Sequence, residues 1–298
     1  MIVVENISKS FGDIKAVDNI TANIKTGCIF GLIGTNGAGK STFLRMMSGI
    51  YRPDFGKVSI DGEQVFENVA VKKRLFYISD DQYFLPNATP LAMAKYYASV
   101  YESFDNQRFL QLLDAFGLDG KRKISTFSKG MKKQVSVICG LAAKTDYIFC
   151  DETFDGLDPV MRQAVKSLLA ADVADRNLTA IIASHNLREL EDICDHIGLL
   201  HQGGILLNKD LDDMKTNIHK VQCILPTGVE ASQLGLDIVK TEQRGSISII
   251  IARGDRDAII NKINGLNPIF AEVLPLTLEE IFISETEVAG YEIKKLCI

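Results

Sequence analysis

Gly34-Thr35-Asn36-Gly37-Ala38-Gly39-Lys40-Ser41 is the stretch on which the fold turns. It has the spacing G-x-x-x-x-G-K-[ST], and its surroundings are those the pattern demands: an apolar, β-prone run over 28–33 before it and a helical periodicity after it. Glycines let such a loop curl until consecutive main-chain N–H groups face inward, and the following helix adds the positive end of its dipole. Phosphate groups are what this geometry holds. Lys40 supplies a point charge, Ser41 a hydroxyl placed to ligate Mg²⁺, and Thr42 a hydroxyl for a phosphate oxygen.

Outward from the loop, Phe43, Leu44, Met47 and Ile50 recur at helical spacing over 40–50, with Pro53 as a stop. Short β-rich runs at 1–4, 20–24, 57–60 and 75–78 flank this unit. The stretch 89–115 reads as helical, with Asp105 a plausible N-cap, Phe109, Leu112, Leu113 and Phe116 on one face and Gly117 as terminator. Helices over 130–144 and 158–174 each feed a buried strand, at 147–150 and 179–183, which predicts a parallel sheet in an α/β fold. Beyond 219 the texture changes to strands at 221–225, 238–240 and 246–251 with a helix at 258–263, a small α+β module. The expected division is therefore 1–219 and 220–298.

Tyr147-Ile148-Phe149-Cys150-Asp151-Glu152 sets two acids at the C-terminal end of an apolar strand, the edge where ligands bind in such sheets. Asp151 can join a Mg²⁺ shell, while Glu152, facing the other way, can polarise an attacking water. A net charge of -5 leaves no global positive field for nucleic acid, so a nucleic-acid partner is not expected. The six cysteines (28, 139, 150, 194, 223, 297) show no C-x-x-C pair and read as reduced packing residues. No charged-apolar leader and no apolar stretch of about 18 residues is visible, so a membrane role is expected to come through a partner.

Five motifs in order resemble the nucleotide-binding subunits of ABC transporters over the first 220 residues or so: Phe11-Gly12, Gly34 to Thr42, Phe127-Ser128-Lys129-Gly130-Met131, Asp155-Gly156-Leu157-Asp158 and Ala183-Ser184-His185. The resemblance implies a P-loop ABC cassette with a mixed sheet core, a helical subdomain at about 83–143 and the C-terminal α+β module beyond it. It implies ATP and Mg²⁺ as cofactors, with Phe11 stacking on adenine and Gly34, Asn36, Gly37, Ala38, Gly39, Lys40, Ser41 and Thr42 around the phosphates. Ser128 and Gly130 would meet the γ-phosphate held by a second copy of the chain, joined by Asp158 of the D-loop. Glu152, His185 and Lys40 would carry the chemistry. Alone, Phe11 reads more readily as a packed aromatic than as a base stack, and Asp158 before Pro159 reads also as a helix cap.

Three positions depart from the family pattern. Asp80 stands where a metal-binding glutamine is usual, although Gln82 is close by, which would make the metal ligands Ser41, Asp80 and Asp151. Lys129 and Met131 give the signature a form that resembles the branch serving exporters of drugs, peptides and polysaccharides, as does Thr277-Leu278-Glu279-Glu280-Ile281-Phe282. The function implied is ATP hydrolysis by a head-to-tail homodimer at the cytoplasmic face of the membrane, powering export through a separate transmembrane permease. The segment 82–101 is the implied contact with that permease, or else an ordinary core-facing helix. The alternative is a soluble ABC ATPase with a regulatory, ribosome-linked or nucleic-acid-linked role. The basic residues Lys121, Arg122, Lys123, Lys129, Lys132 and Lys133 read as a solvated helix face, or as a surface for anionic headgroups or the partner's nucleotide. His196, His201 and His219 read as structural or surface residues.

Overall fold

A computed structural model describes residues 1–211, with backbone alone over 206–209, together with 217–226 and 234–281. Phe282 and Cys297 lie outside the described residues. Two compact units divide between Asn208 and Lys209.

In the first unit β1 (Ile2–Phe11) and β2 (Ile14–Ile24) run antiparallel, and β3 (Ile29–Ile33) leads into the glycine loop and α1 (Lys40–Met47). β4 (Phe55–Ile60) and β5 (Glu63–Gln64) complete a four-stranded sheet ordered β2-β1-β4-β5. The short α2 (Val69–Lys72) precedes β6 (Leu75–Ile78). Helices α3 (Pro90–Val100), α4 (Asn106–Ala115) and α5 (Lys129–Ala142) follow, then β7 (Tyr147–Asp151), α6 (Pro159–Arg176) and β8 (Thr179–Ser184). After α7 (Leu187–Glu191) come β9 (His196–His201) and β10 (Gly204–Asp210), giving a six-stranded sheet ordered β10-β9-β3-β8-β7-β6. The pairs β3–β8, β3–β9, β7–β8 and β6–β7 are all parallel. Every residue of β3, β7 and β8 is buried, as expected for parallel strands covered on both faces.

Three boundaries differ from expectation for local reasons. α1 stops at Met47 because Gly49 turns at φ 69, so Ile50 is 49% exposed rather than part of the core. The stretch 89–115 is two helices: Tyr101 adopts an extended backbone, and Asp105 starts α4 by accepting the Arg108 N–H at 2.9 Å. α5 begins one residue early, at Lys129, because the Ser128 hydroxyl caps it.

The second unit is an antiparallel sheet of β11 (Ile218–Ile224), β12 (Asp237–Arg244), β13 (Ile247–Arg253) and β14 (Phe270–Leu274), ordered β12-β13-β11-β14. α8 (Arg256–Asn264) buries Ile259 and Ile263 among Val221, Cys223, Ile250 and Ala252. Thr277 and Glu280 cap each other reciprocally, and the Glu280 carboxylate also holds Lys220 at 2.6 Å. The five described cysteines are all buried and free. Burial pushes the Cys28 thiol up to about 11 and the Cys150 thiol to about 12, with Cys139 and Cys194 raised further by the same cause. No helix among the described residues is long and apolar enough to cross a membrane.

Candidate functional site

β3, β6, β7 and β8 end side by side, and their C-terminal edges surround a cleft of about 620 Å³ within the first unit. The glycine loop forms one wall. Gly39 sits at φ 100, and a Cβ there would run into the Ala16 carbonyl oxygen, so both the conformation and the close approach demand glycine. Lys40, only 6% exposed, folds back over the loop and donates to the Gly34 and Thr35 carbonyls at 2.8 and 3.3 Å. Its ammonium also lies 3.2 Å from Glu152 Oε1.

Alternation at the end of β7 sends the two acids apart. Asp151 is fully buried, with Oδ1 accepting the Ser41 hydroxyl and Oδ2 the Tyr77 hydroxyl, each at 2.9 Å. Hard oxygen donors from Ser41 and Asp151 held this close form a set suited to Mg²⁺. Glu152 takes the left-handed region at φ 46, where a non-glycine residue costs of order 1–3 kcal/mol. Its N–H donates to the Ala183 carbonyl at 3.0 Å, and its own carbonyl accepts from the Lys133 ammonium. Glu152 Oε2 meets His185 Nδ1 at 2.9 Å and the His185 N–H at 3.3 Å, with Asp155 Oδ2 at 3.9 Å from the same ring nitrogen. The ligand atoms of Glu152, Asp155 and His185 lie within 4.8 Å of one another. A carboxylate gripped by a lysine and a histidine beside a phosphate cradle has the geometry to orient a water molecule and take its proton.

Asp80 also lines the cleft, whereas the Gln82 amide donates to the Ser79 and Asp80 carbonyls at 3.1 and 2.8 Å. Asn36, Gly37, Ser41 and Thr42 complete the lining near the loop. Phe11, Ser128, Gly130 and Asp158 do not line it. Phe11 is 45% exposed and packs edge-on against Tyr51 at 5.7 Å, and Ile14 stands at the cleft instead. Ser128 spends its hydroxyl on the Met131 N–H, and Asp158 caps α6 through the Val160 and Met161 amides. Gly130 abuts the Gly156 carbonyl, which a Cβ would approach to 2.7 Å, so the start of α5 and the 155–158 turn fit against each other through a missing side chain.

Two residues were missed from the sequence. Tyr77 is a hydroxyl-bearing aromatic in an otherwise apolar strand, a signal that its tip has a polar partner. Lys133 corrects the solvated-face expectation: Lys121, Arg122, Lys123 and Lys129 are exposed, but Lys133 is completely buried. Its spacing to Val137 and Gly140 puts it on the inward face of α5.

Burial is the chief reason the Asp151 carboxyl is pushed up from its ordinary value, opposed by the Tyr77 and Ser41 hydrogen bonds. Burial and the Asp151 charge likewise raise the Tyr77 hydroxyl, which stays a donor. A carboxyl whose folded pKa exceeds its unfolded one penalises the native state above the folded value and relieves it as pH falls through that value. Asp151→Asn without nucleotide or metal is therefore expected to melt above the parent near neutral pH, with the gap closing on acidification. Thermal melts across pH in chelator check this, and a gap that widens toward acid contradicts it.

A family model described as ABC transporter matches residues 17–155. The ATP-binding protein YtrB of Bacillus subtilis is 30% identical, the match covering 96% of this chain and 98% of YtrB. The bacitracin transport ATP-binding protein BcrA of Bacillus licheniformis is 31% identical over 72% of this chain and 71% of its own length. The methionine import ATP-binding protein MetN of Staphylococcus haemolyticus is 32% identical over 65% and 60% respectively. Among solved structures, an ATP-binding subunit of an ABC transporter superposes with a TM-score of 0.67 at 26% identity, covering 72% of this chain and 92% of that one.

Proposed function

The chain belongs to the ABC transporter family as an ATP-binding subunit with ATPase activity, and from that premise we propose that it powers export through a separate membrane-spanning subunit. The observation that carries the catalytic part is the Glu152 carboxylate held between Lys40 and His185 next to the Ser41–Asp151 pair. The curled loop amides and Lys40 bind the β- and γ-phosphates. Ser41 and Asp151 would hold Mg²⁺, with Asp80 at hand, and the bound ion would supply charge neutralisation for phosphoryl transfer. Glu152 orients the water and accepts its proton, and His185 fixes the carboxylate while reaching toward the γ-phosphate.

Ser128, Gly130 and Asp158 fall outside the cleft of their own chain, which supports a role toward the nucleotide of a second copy packed head to tail. Free N–H groups at the start of α5 then close on the partner's γ-phosphate, and hydrolysis releases the pair. Adenine stacking on Phe11 is supported by a ring that is 45% exposed and meets Tyr51 edge-on rather than face to face. Export is supported by Lys129 and Met131 in the signature and opposed by the MetN match, which spans a smaller share of either chain than the YtrB match. The second unit serves as an accessory module, and the protein works at the cytoplasmic face of the membrane through its partner.

Affinity purification from detergent-solubilised membranes tests the coupling. A polytopic membrane protein is expected to co-purify and to change the rate of phosphate release. Recovery of ribosomes or DNA in its place would overturn the transport function.

A further inference from the structure

Lys133 is the most deeply buried lysine among the described residues, and the catalytic scheme leaves it without a task. Its side chain is completely shielded from solvent in the second turn of α5. A shielded ammonium is strongly unfavourable unless it is paired and hydrogen-bonded. Both requirements are met at the cleft: the Nζ lies 3.0 Å from Asp80 Oδ1 and donates to the main-chain carbonyl of Glu152. Among the described residues Asp80 is the one carboxylate in ion-pair range of Lys133.

Asp80 creates the need for such a partner. The cleft is already lined by the carboxylates of Glu152 and Asp155, with Asp151 behind Ser41. A further acid facing a bound triphosphate repels it, since like charges a few ångströms apart in a partly buried site are poorly screened. An ammonium pressed against the far side of that acid removes the repulsion without entering the cleft. The same ammonium steadies Glu152, whose backbone sits at a strained φ of 46.

We propose that Lys133 is a positioning residue whose buried charge allows an acid to stand at position 80 in the nucleotide cleft and, through the Glu152 carbonyl, sets the direction of the neighbouring carboxylate. The proposal rests on the cleft being the triphosphate site.

The test is a double-mutant cycle of Lys133→Gln, Asp80→Gln and the pair together, read by titration with a fluorescent ATP analogue, with and without Mg²⁺, and by thermal melting. Lys133→Gln alone is expected to weaken binding about tenfold or more, because Asp80 then faces the phosphates uncompensated. Asp80→Gln alone is expected to lower the melting temperature, because it strands the buried ammonium. The double variant, with two neutral amides, recovers both binding and melting temperature to within about threefold and a few degrees of the parent. Independent, additive losses in the cycle would overturn the coupling and reduce Lys133 to packing. If Lys133→Gln is insoluble, a soluble double variant supports the proposal and an insoluble one overturns it. Lys40→Ala run in parallel separates the levels. Unchanged binding in that variant removes the triphosphate site itself, whereas lost binding with an additive cycle removes only the role of Lys133.

Discussion

Glu152→Gln lowers ATP turnover by about 10²- to 10⁴-fold while the protein still binds nucleotide, the span expected when a positioned general base is lost. The substitution is nearly isosteric, so the backbone at φ 46 and the fit between Lys40 and His185 are retained. A carboxamide oxygen still accepts from Lys40, but it cannot take a proton from water. Binding steps up to the chemistry therefore proceed, and the ATP-bound state accumulates. Phosphate release measured together with size-exclusion chromatography in ATP and Mg²⁺ provides the check: turnover falls and a species of twice the mass appears. Parent-like turnover means that the base lies elsewhere, and loss of binding alongside turnover means that Glu152 serves the cradle.

Lys40→Ala acts one step earlier, raising the dissociation constant for nucleotide by about a hundredfold or more. The ammonium is almost entirely buried and already desolvated, so its charge-assisted hydrogen bonds to phosphate oxygens are worth about 1.5–3 kcal/mol each, against about 1.4 kcal/mol per tenfold of affinity. Alanine also leaves Glu152 Oε1 without its cation and the Gly34 and Thr35 carbonyls without their donor. Equilibrium titration with a fluorescent nucleotide measures the loss, and a melting curve of the same sample separates it from unfolding. Affinity within threefold of the parent would remove the cradle from its place at the centre of the mechanism.

The contrast between legible and illegible parts has physical causes. Local chemistry announces the loop: glycine, lysine and serine at fixed spacing are needed there whatever surrounds them, and β3 and β7 advertise themselves by being apolar on both faces. The structure then brings Lys40, Ser41, Asp80, Asp151, Glu152 and His185 into one place because four parallel strands end together. Pairing across distant segments leaves weaker marks. β9 has only Ile197 to Leu200 buried between two histidines, and β12 is mostly polar because it is an edge strand with one packed face. The gap between α3 and α4 turns on one extended residue, Tyr101, that no periodicity reveals. Lys133 was hidden by its charged neighbours, since its phase on α5 places it inside while its chemistry advertises the outside. Asp80 rather than Gln82 faces the cleft, and it does so paired with that same lysine, which lies 53 positions further along the chain.

The buried, protonated thiols bear on how motion in this molecule can be watched. Maleimides and nitroxide reagents attack thiolates that solvent can reach, and Cys28, Cys139, Cys150, Cys194 and Cys223 offer neither charge nor access. With Cys297 changed to serine, the native chain becomes a quiet background for site-directed labels. Single reporter cysteines at exposed positions on α4 or at the start of α6 would then follow distances between two copies through a turnover cycle, with no core residue replaced.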